Sequence, residues 1–241
     1  MRMTSRYFFV HLQKTGGTSL LAYLRDVFDE DQIFPSSQDR GMKSIMFVDY
    51  LYERAQKDQD KIQVFKGHFP YWVHEGLGSD IRTFTILREP VARTLSFLRH
   101  QKKMAPEKYK DKSLMDIYKE PLRFHGLIHN HMVKMFALTS KDGGMMTRID
   151  FSDEHLKRAK RNLRQVDVIG IQEEFDPFLS RLTDQFGWNF PKDYRRNVSE
   201  DPEVLPESFI QQIRRDNQLD MRFYRFACEL IAKRDARRQK K

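Results

Sequence analysis

Lys14, His68, Arg88 and Ser96 are the side chains whose types and settings suit chemistry between an anion and a hydroxyl. Lys14 opens the run Lys14-Thr15-Gly16-Gly17-Thr18-Ser19, after the apolar stretch Phe8-Phe9-Val10 and before an amphipathic segment. A strand that breaks at glycines and resumes as a helix is a general anion holder. The glycines admit the ligand to the backbone, and the unpaired N–H groups of the first helical turn point at it. The common nucleotide-binding order, G-x-x-x-x-G-K-[ST], places lysine after the glycines, whereas Lys14 precedes them. A second junction follows the strand-like Thr83-Phe84-Thr85-Ile86-Leu87 and reads Arg88-Glu89-Pro90-Val91-Ala92-Arg93-Thr94-Leu95-Ser96. Proline suits a helix start because its missing N–H would be unpaired there. The Arg88 guanidinium matches phosphate oxygens, and Ser96, two turns into the helix, adds a hydroxyl donor. Between the two junctions, Val64-Phe65-Lys66-Gly67-His68 ends a strand on an imidazole. That position is the carboxyl edge where open α/β sheets bind ligands, and an imidazole titrates in the range of a general base.

The lysine-first loop Gln13-Lys14-Thr15-Gly16-Gly17-Thr18 resembles the 5′-phosphosulfate loop of sulfotransferases, enzymes that use 3′-phosphoadenosine 5′-phosphosulfate (PAPS) as donor. Its form is most similar to the carbohydrate branch, which includes the heparan sulfate 2-O- and 6-O-sulfotransferases. The R-x-P-x-x-R-x-x-S run of Arg88 to Ser96 resembles the 3′-phosphate motif of the same superfamily, and Gly67-His68 matches the position of the 2-O-sulfotransferase base. The resemblance implies a P-loop-like three-layer α/β fold with a central parallel sheet flanked by helices. It also implies in-line transfer of a sulfuryl group from PAPS to a carbohydrate hydroxyl. Lys14 and His68 would be catalytic, with Lys14 neutralising charge on the leaving oxygen and His68 taking the hydroxyl proton. The donor would be bound by Lys14, Thr15, Gly16, Gly17, Thr18 and Ser19 at one end and by Arg88 and Ser96 at the other. The chemistry requires no metal.

Other segments fit the resemblance less specifically. Val166 to Gln172 reads as a buried strand leading into Glu173-Glu174-Phe175-Asp176-Pro177-Phe178, a helix whose opening acids suit its dipole. The basic loop Tyr194-Arg195-Arg196-Asn197-Val198-Ser199 falls where family members place a nucleotide-covering loop, which makes Arg196, Asn197 and Ser199 donor contacts by resemblance. In relatives, the region of Phe124 to Met132 lines the acceptor cleft, and His125, His129 and Asn130 become substrate contacts on that basis. His125 and His129 would share a helix face, and His131 adds a third nitrogen. A metal is conceivable on ligand type alone, but Gly126 weakens the helix and no acidic partner follows at a metal-binding spacing. His11 falls within the first strand.

The 241 residues suffice for one α/β domain, and 19 phenylalanines and 9 tyrosines provide its packing units. We read 1–241 as a single domain, since there is neither an internal repeat nor a low-complexity linker. One cysteine excludes an intrachain disulfide framework and fits a reducing compartment. No stretch approaches the ~20 apolar residues of a membrane span, and the functional loop begins too early to leave room for a signal peptide. Unlike the Golgi-anchored animal relatives, the chain therefore reads as a cytoplasmic, bacterial enzyme without a membrane partner. Its net charge of +9 suits a polyanionic donor or an acidic acceptor. No nucleic-acid recognition motif is present. Two other functions fit a phosphate-binding α/β chain: a P-loop-like nucleoside or small-molecule kinase, and a non-catalytic binder of polyanions.

Apolar patterning predicts strands near residues 7–11, 63–67, 83–88 and 167–171, with a short one near 32–34. Helices are expected near 18–28, 44–57, 90–103, 113–119, 128–138, 153–165, 173–186 and 206–234. The alternation implies a parallel sheet with helices on both faces. The least patterned segment, 102–148, is the expected carrier of acceptor specificity.

Overall fold

The computed structural model describes residues 5–39, 41–192, 194 and 205–238. Five strands form one all-parallel sheet: β1 (Arg6–Val10), β2 (Ile33–Phe34), β3 (Val64–Gly67), β4 (Ile81–Leu87) and β5 (Val168–Ile171). Their order is β2-β3-β1-β4-β5. From the central β1 the chain moves out to β2, returns through β3, then crosses to β4 and β5 on the other side. Such a reversal opens a crevice at the carboxyl ends of the strands. The register puts the functional segments there together, because Val10 pairs with Gly67 and Thr85, and Leu87 pairs with Ile171. The residues that follow, from His11, His68, Arg88 and Gln172, therefore all leave the sheet at one edge.

The sheet is covered on both faces, as its apolar strands require. Phe8, Val10 and Phe65 belong to one core, built with the helices Pro90–Met104, His131–Ala137, Asp153–Gln165 and Gln218–Arg238. Tyr7, Phe9, Val64 and Phe84 belong to the other, with Leu20 and Leu24 of α1 (Gly17–Val27), Phe178, Leu182 and Trp188. No helix among the described residues is long and apolar enough to cross a membrane.

Three expected elements differ in detail. The helix foreseen over 44–57 is two, α2 (Lys43–Met46) and α3 (Val48–Lys57), because Phe47 is extended between them. The single C-terminal helix is also two, Glu207–Asp216 and Gln218–Arg238, broken at Asn217. The side-chain amide of Asn217 donates to Ile213 O at 2.9 Å, while its oxygen accepts the main-chain N–H of Asn130 at 2.8 Å. The helix expected over 128–138 spans His131–Ala137 and is preceded by a π-helical turn, Phe124–Ile128. That turn leaves carbonyls for two buried cations. Arg93 Nη2 donates to Leu127 O and Ile128 O, and Lys134 Nζ donates to His125 O, Gly126 O, Met145 O and Thr147 O.

Asn130 and Asp220 join these parts by a mutual cap. The Asn130 carboxamide oxygen accepts the N–H groups of Leu219 and Asp220 at 3.0 and 3.1 Å. The Asp220 carboxylate in turn accepts those of Met132 and Val133 at 3.0 and 2.8 Å. Each side chain thus satisfies the orphan donors of the other's helix. Asn130 adopts φ 46°, the left-handed region that asparagine tolerates better than most residues.

Candidate active site

The Lys14 loop is shaped by backbone conformations its sequence permits. Lys14 has φ 67° and Gly16 φ 96°, and the first α1 hydrogen bond runs from Leu20 N to Gly16 O at 3.0 Å. The N–H groups of Gly17, Thr18 and Ser19 precede that bond, so they are the donors a helix start offers to an anion. Gly17 is obligatory for a specific reason. A Cβ there would lie 1.9 Å from His11 Nε2.

A cleft of about 400 Å³ opens over this loop. Of the residues foreseen for the donor and the chemistry, Lys14, Gly16, Gly17, Thr18, Ser19, His68, Arg88 and Ser96 line it. Thr15 does not: it is fully buried, and its hydroxyl donates to Leu12 O at 2.9 Å, closing the turn from behind. Arg196, Asn197 and Ser199 lie outside the described residues.

His68 is oriented by the main chain. Its Nδ1 lies 3.1 Å from the carbonyl oxygen of His11. A carbonyl only accepts, so Nδ1 carries the proton and Nε2 is left as the basic nitrogen. Burial lowers the His68 pKa, the His11 carbonyl opposes this, and the nearby Lys66 lowers it further. The main-chain N–H of His68 donates to Ile45 O at 2.7 Å, which ties α2 to the end of β3. Lys14 is likewise lowered from its ordinary value, first by burial and then by Arg88.

Arg88 donates through Nη1 to the Lys14 carbonyl at 3.2 Å, and its Nε lies 4.0 Å from Glu173. Glu173 also accepts the Glu89 N–H at 3.2 Å and the Tyr224 hydroxyl at 3.2 Å. This acid therefore braces Arg88 and the start of α4 (Pro90–Met104), a role the dipole argument did not reach. Glu89 caps α4 by accepting Ala92 N–H at 2.7 Å. Along α4, Ser96 and His100 are four apart and both face the cleft.

Several lining residues were missed from sequence. His11 is not inside β1 but just past its end, stacked on Phe9 with ring centroids 4.9 Å apart and 4.6 Å from the His68 ring. Its pKa is held well below the ordinary value by burial first, then by His68, Lys66 and Lys14. Gln13, Met42, Ile45, Gln101 and Gln172 complete the wall. Only Gln13 carried a signal, as a member of the loop motif. Lys66, in register with Phe9 on the neighbouring strand, is pushed down to about 8 by burial and by Arg25.

The three foreseen acceptor contacts are elsewhere. His129 and Asn130 border a separate cavity of about 450 Å³ with Phe151, Asp153 and Arg215, and His125 lines neither cavity. The side chain of Asn130 is consumed by its caps. His129 stacks on Phe124 at 5.1 Å, and the π turn sets His125 edge-on to it at 6.4 Å rather than on one α-helical face. Among the described residues, no group of three or more His, Cys, Asp or Glu is placed to hold a metal ion.

The family model described as "Sulfotransferase family" matches residues 2–227. The chain belongs to that family. Among solved structures, this sulfotransferase is similar to one from Alicyclobacillus acidocaldarius, at 15% identity and TM-score 0.50. That match covers 90% of this chain and 96% of the other, and it supports the fold. A mouse sulfotransferase, SULT7A1 complexed with PAP, matches at 14% identity and TM-score 0.45, over 89% of this chain and 64% of the mouse chain. No curated protein matches the sequence.

Proposed function

We propose that this sulfotransferase moves a sulfuryl group from PAPS to a hydroxyl of a carbohydrate acceptor, with Lys14 and His68 as its catalytic residues. The observation that carries the reading is that Lys14, His68, Arg88 and Ser96, drawn from three separate segments, line one cleft. The cleft fits a donor with two anionic ends. The first-turn N–H groups of α1 open on it at one end, and an arginine with a serine serves the other. No aspartate or glutamate lines this wall among the described residues.

When bound, PAPS supplies an activated sulfuryl group whose departure leaves negative charge on the 5′-phosphate oxygen. Thr18, Ser19 and the N–H groups of the first α1 turn hold that phosphate, and Lys14 neutralises the developing charge. His68 Nε2 accepts the acceptor's hydroxyl proton as the new oxygen–sulfur bond forms, and the His11 carbonyl stabilises the resulting imidazolium through Nδ1–H. Arg88 and Ser96 bind the remote 3′-phosphate, and their binding energy keeps the reacting atoms in line.

Calorimetric titration with adenosine 3′,5′-bisphosphate, with and without Mg²⁺, tests the donor. We expect saturable binding that is independent of the metal. Mg²⁺-dependent turnover of ATP without bisphosphate binding would overturn the reading in favour of a kinase. Screening glycans and small hydroxyl compounds with labelled PAPS then tests the acceptor class.

A further inference from the structure

Arg93 is the second arginine of the Arg88–Ser96 run, and none of the chemistry above uses it. It is fully buried, and no carboxylate oxygen lies within ion-pair distance of it among the described residues. Its guanidinium instead spans main-chain carbonyls from two distant segments. Nη2 donates to Leu127 O at 3.1 Å and Ile128 O at 3.2 Å, and Nη1 reaches Gln13 O at 3.5 Å. Gln13 is the residue immediately before Lys14, which stands in the left-handed region at φ 67°. A non-glycine residue is strained there and keeps the conformation only where its surroundings hold it. The next carbonyl, that of Lys14, takes Arg88. Arg88, just before α4, and Arg93, within its first turn, therefore hold the two consecutive carbonyls on either side of the Lys14 side chain.

Burying an arginine without a carboxylate is expensive. Here burial first, with the neighbouring Arg88 adding to it, lowers the Arg93 pKa to about 10, against the pull of Asp220. A purely structural bridge between two loops is available to a neutral amide or to apolar packing at lower cost. The fork geometry is what a neutral side chain lacks, since two of its nitrogens reach three carbonyls at once.

We propose that Arg93 is a positioning residue: by holding Gln13 O against Leu127 O and Ile128 O, it fixes the Lys14 turn and so aims the Lys14 ammonium at the leaving oxygen. The inference rests on the sulfuryl-transfer reading of the cleft. It separates Arg93 from Arg88 by role: Arg88 meets the ligand, whereas Arg93 acts through Lys14.

The test is a double-mutant cycle on acceptor-independent release of labelled sulfate from PAPS to water, with rates normalised to sites that bind adenosine 3′,5′-bisphosphate. Arg93→Gln and Arg93→Lys are each made in the native and the Lys14→Ala backgrounds. A misplacement of about 1 Å costs on the order of 100-fold. We therefore expect kcat to fall about 10- to 100-fold in the native background, with the bisphosphate Kd changing less than about threefold. In the Lys14→Ala background the same substitutions should change kcat by less than about threefold, because the group they position is gone. Costs that multiply across the two backgrounds would overturn the proposal, as would an unchanged normalised kcat. Failure of both Arg93 variants to fold would assign the residue to the core and overturn it as well. Failure of the unsubstituted enzyme to bind adenosine 3′,5′-bisphosphate would instead refute the donor reading beneath it.

Discussion

The Nδ1 of His68 lies 3.1 Å from the main-chain oxygen of His11, and the two imidazole rings are 4.6 Å apart. One residue thus fixes the tautomer of the other through its backbone and walls it in with its side chain. Because burial lowers the pKa of His68, the neutral, proton-accepting form persists below the ordinary histidine value of 6.5. The acid limb of kcat/KM for sulfate transfer should therefore fall below pH 6.5, and His68→Ala should abolish that limb with the activity. A limb above 6.5, or full activity in the variant, would exclude His68 as the base.

Gly17 and His11 form a steric pair. Gly17→Ala would place a methyl group 1.9 Å from His11 Nε2, and the ring is confined by Phe9 and His68. We expect Gly17→Ala to lower transfer at least about tenfold, in keeping with overpacking beside a site that tolerates little displacement. Adding His11→Ala should recover bisphosphate binding, because the space is then free. Titration of both variants checks this.

Arg88→Ala should act on donor affinity. A charge-assisted hydrogen bond to phosphate contributes about 1.5–3 kcal/mol, so the bisphosphate Kd should rise about 10- to 150-fold. Lys14→Ala should instead lower transfer by about 100- to 1,000-fold, leaving a measurable residual rate, while the bisphosphate still binds. Glu173→Gln, which removes the brace behind Arg88, should raise the Kd by a smaller factor.

Asn130→Ala separates capping from acceptor contact. Losing the bonds to Leu219 and Asp220 should cost about 1–2 kcal/mol. For a chain of this size that lowers Tm by about 2–8 °C. The KM for the acceptor should be unchanged. A raised acceptor KM at unaltered Tm would return Asn130 to the substrate site.

Stability should fall as pH drops below about 6.5. His11, His68 and His131 all have folded pKa values under the ordinary 6.5, the last fully buried and flanked by Arg93 and Lys134. Below 6.5 the unfolded chain binds more protons than the folded one, so stability rises with pH, by about 1.4 kcal/mol per pH unit for each such group. Asp220, pushed up to about 6 by burial, opposes this slope at lower pH but is one group against five, because burial lowers His100 and His129 as well. Urea midpoints measured from pH 5 to 8 should rise and then level off near neutrality.

The parallel sheet and the convergence of its two strand-to-helix junctions on one cleft were legible because their signals are local. Lys14 to Ser19 and Arg88 to Ser96 each sit at a strand-to-helix junction, and apolar runs such as Phe8-Phe9-Val10 mark buried strands by composition. The rest of the cleft wall and the segment before His131 were not legible, for two reasons. The contact of His11 with His68 depends on the pairing of Val10 with Gly67, which no spacing along the chain reveals. The π turn before His131 is maintained by Arg93 and Lys134 acting on carbonyls, and its helix propensity gave no warning of that. Asn130 looked like a cleft polar group because a cap and a ligand contact call for the same carboxamide. Its partners at 219 and 220 are about 90 residues away.

That separation imposes a schedule on biosynthesis. Ribosomes add about 5–20 residues per second, so Asn130 emerges some 4–18 s before the N–H groups it caps. Until residues 217–220 follow, the helix beginning at His131 has no carboxylate at its start, and the 127–128 carbonyls that receive Arg93 have no fixed neighbour. The Lys14 loop, translated early, is thus among the last parts to reach its folded geometry, because the segment that Arg93 ties to it waits for the closing helix.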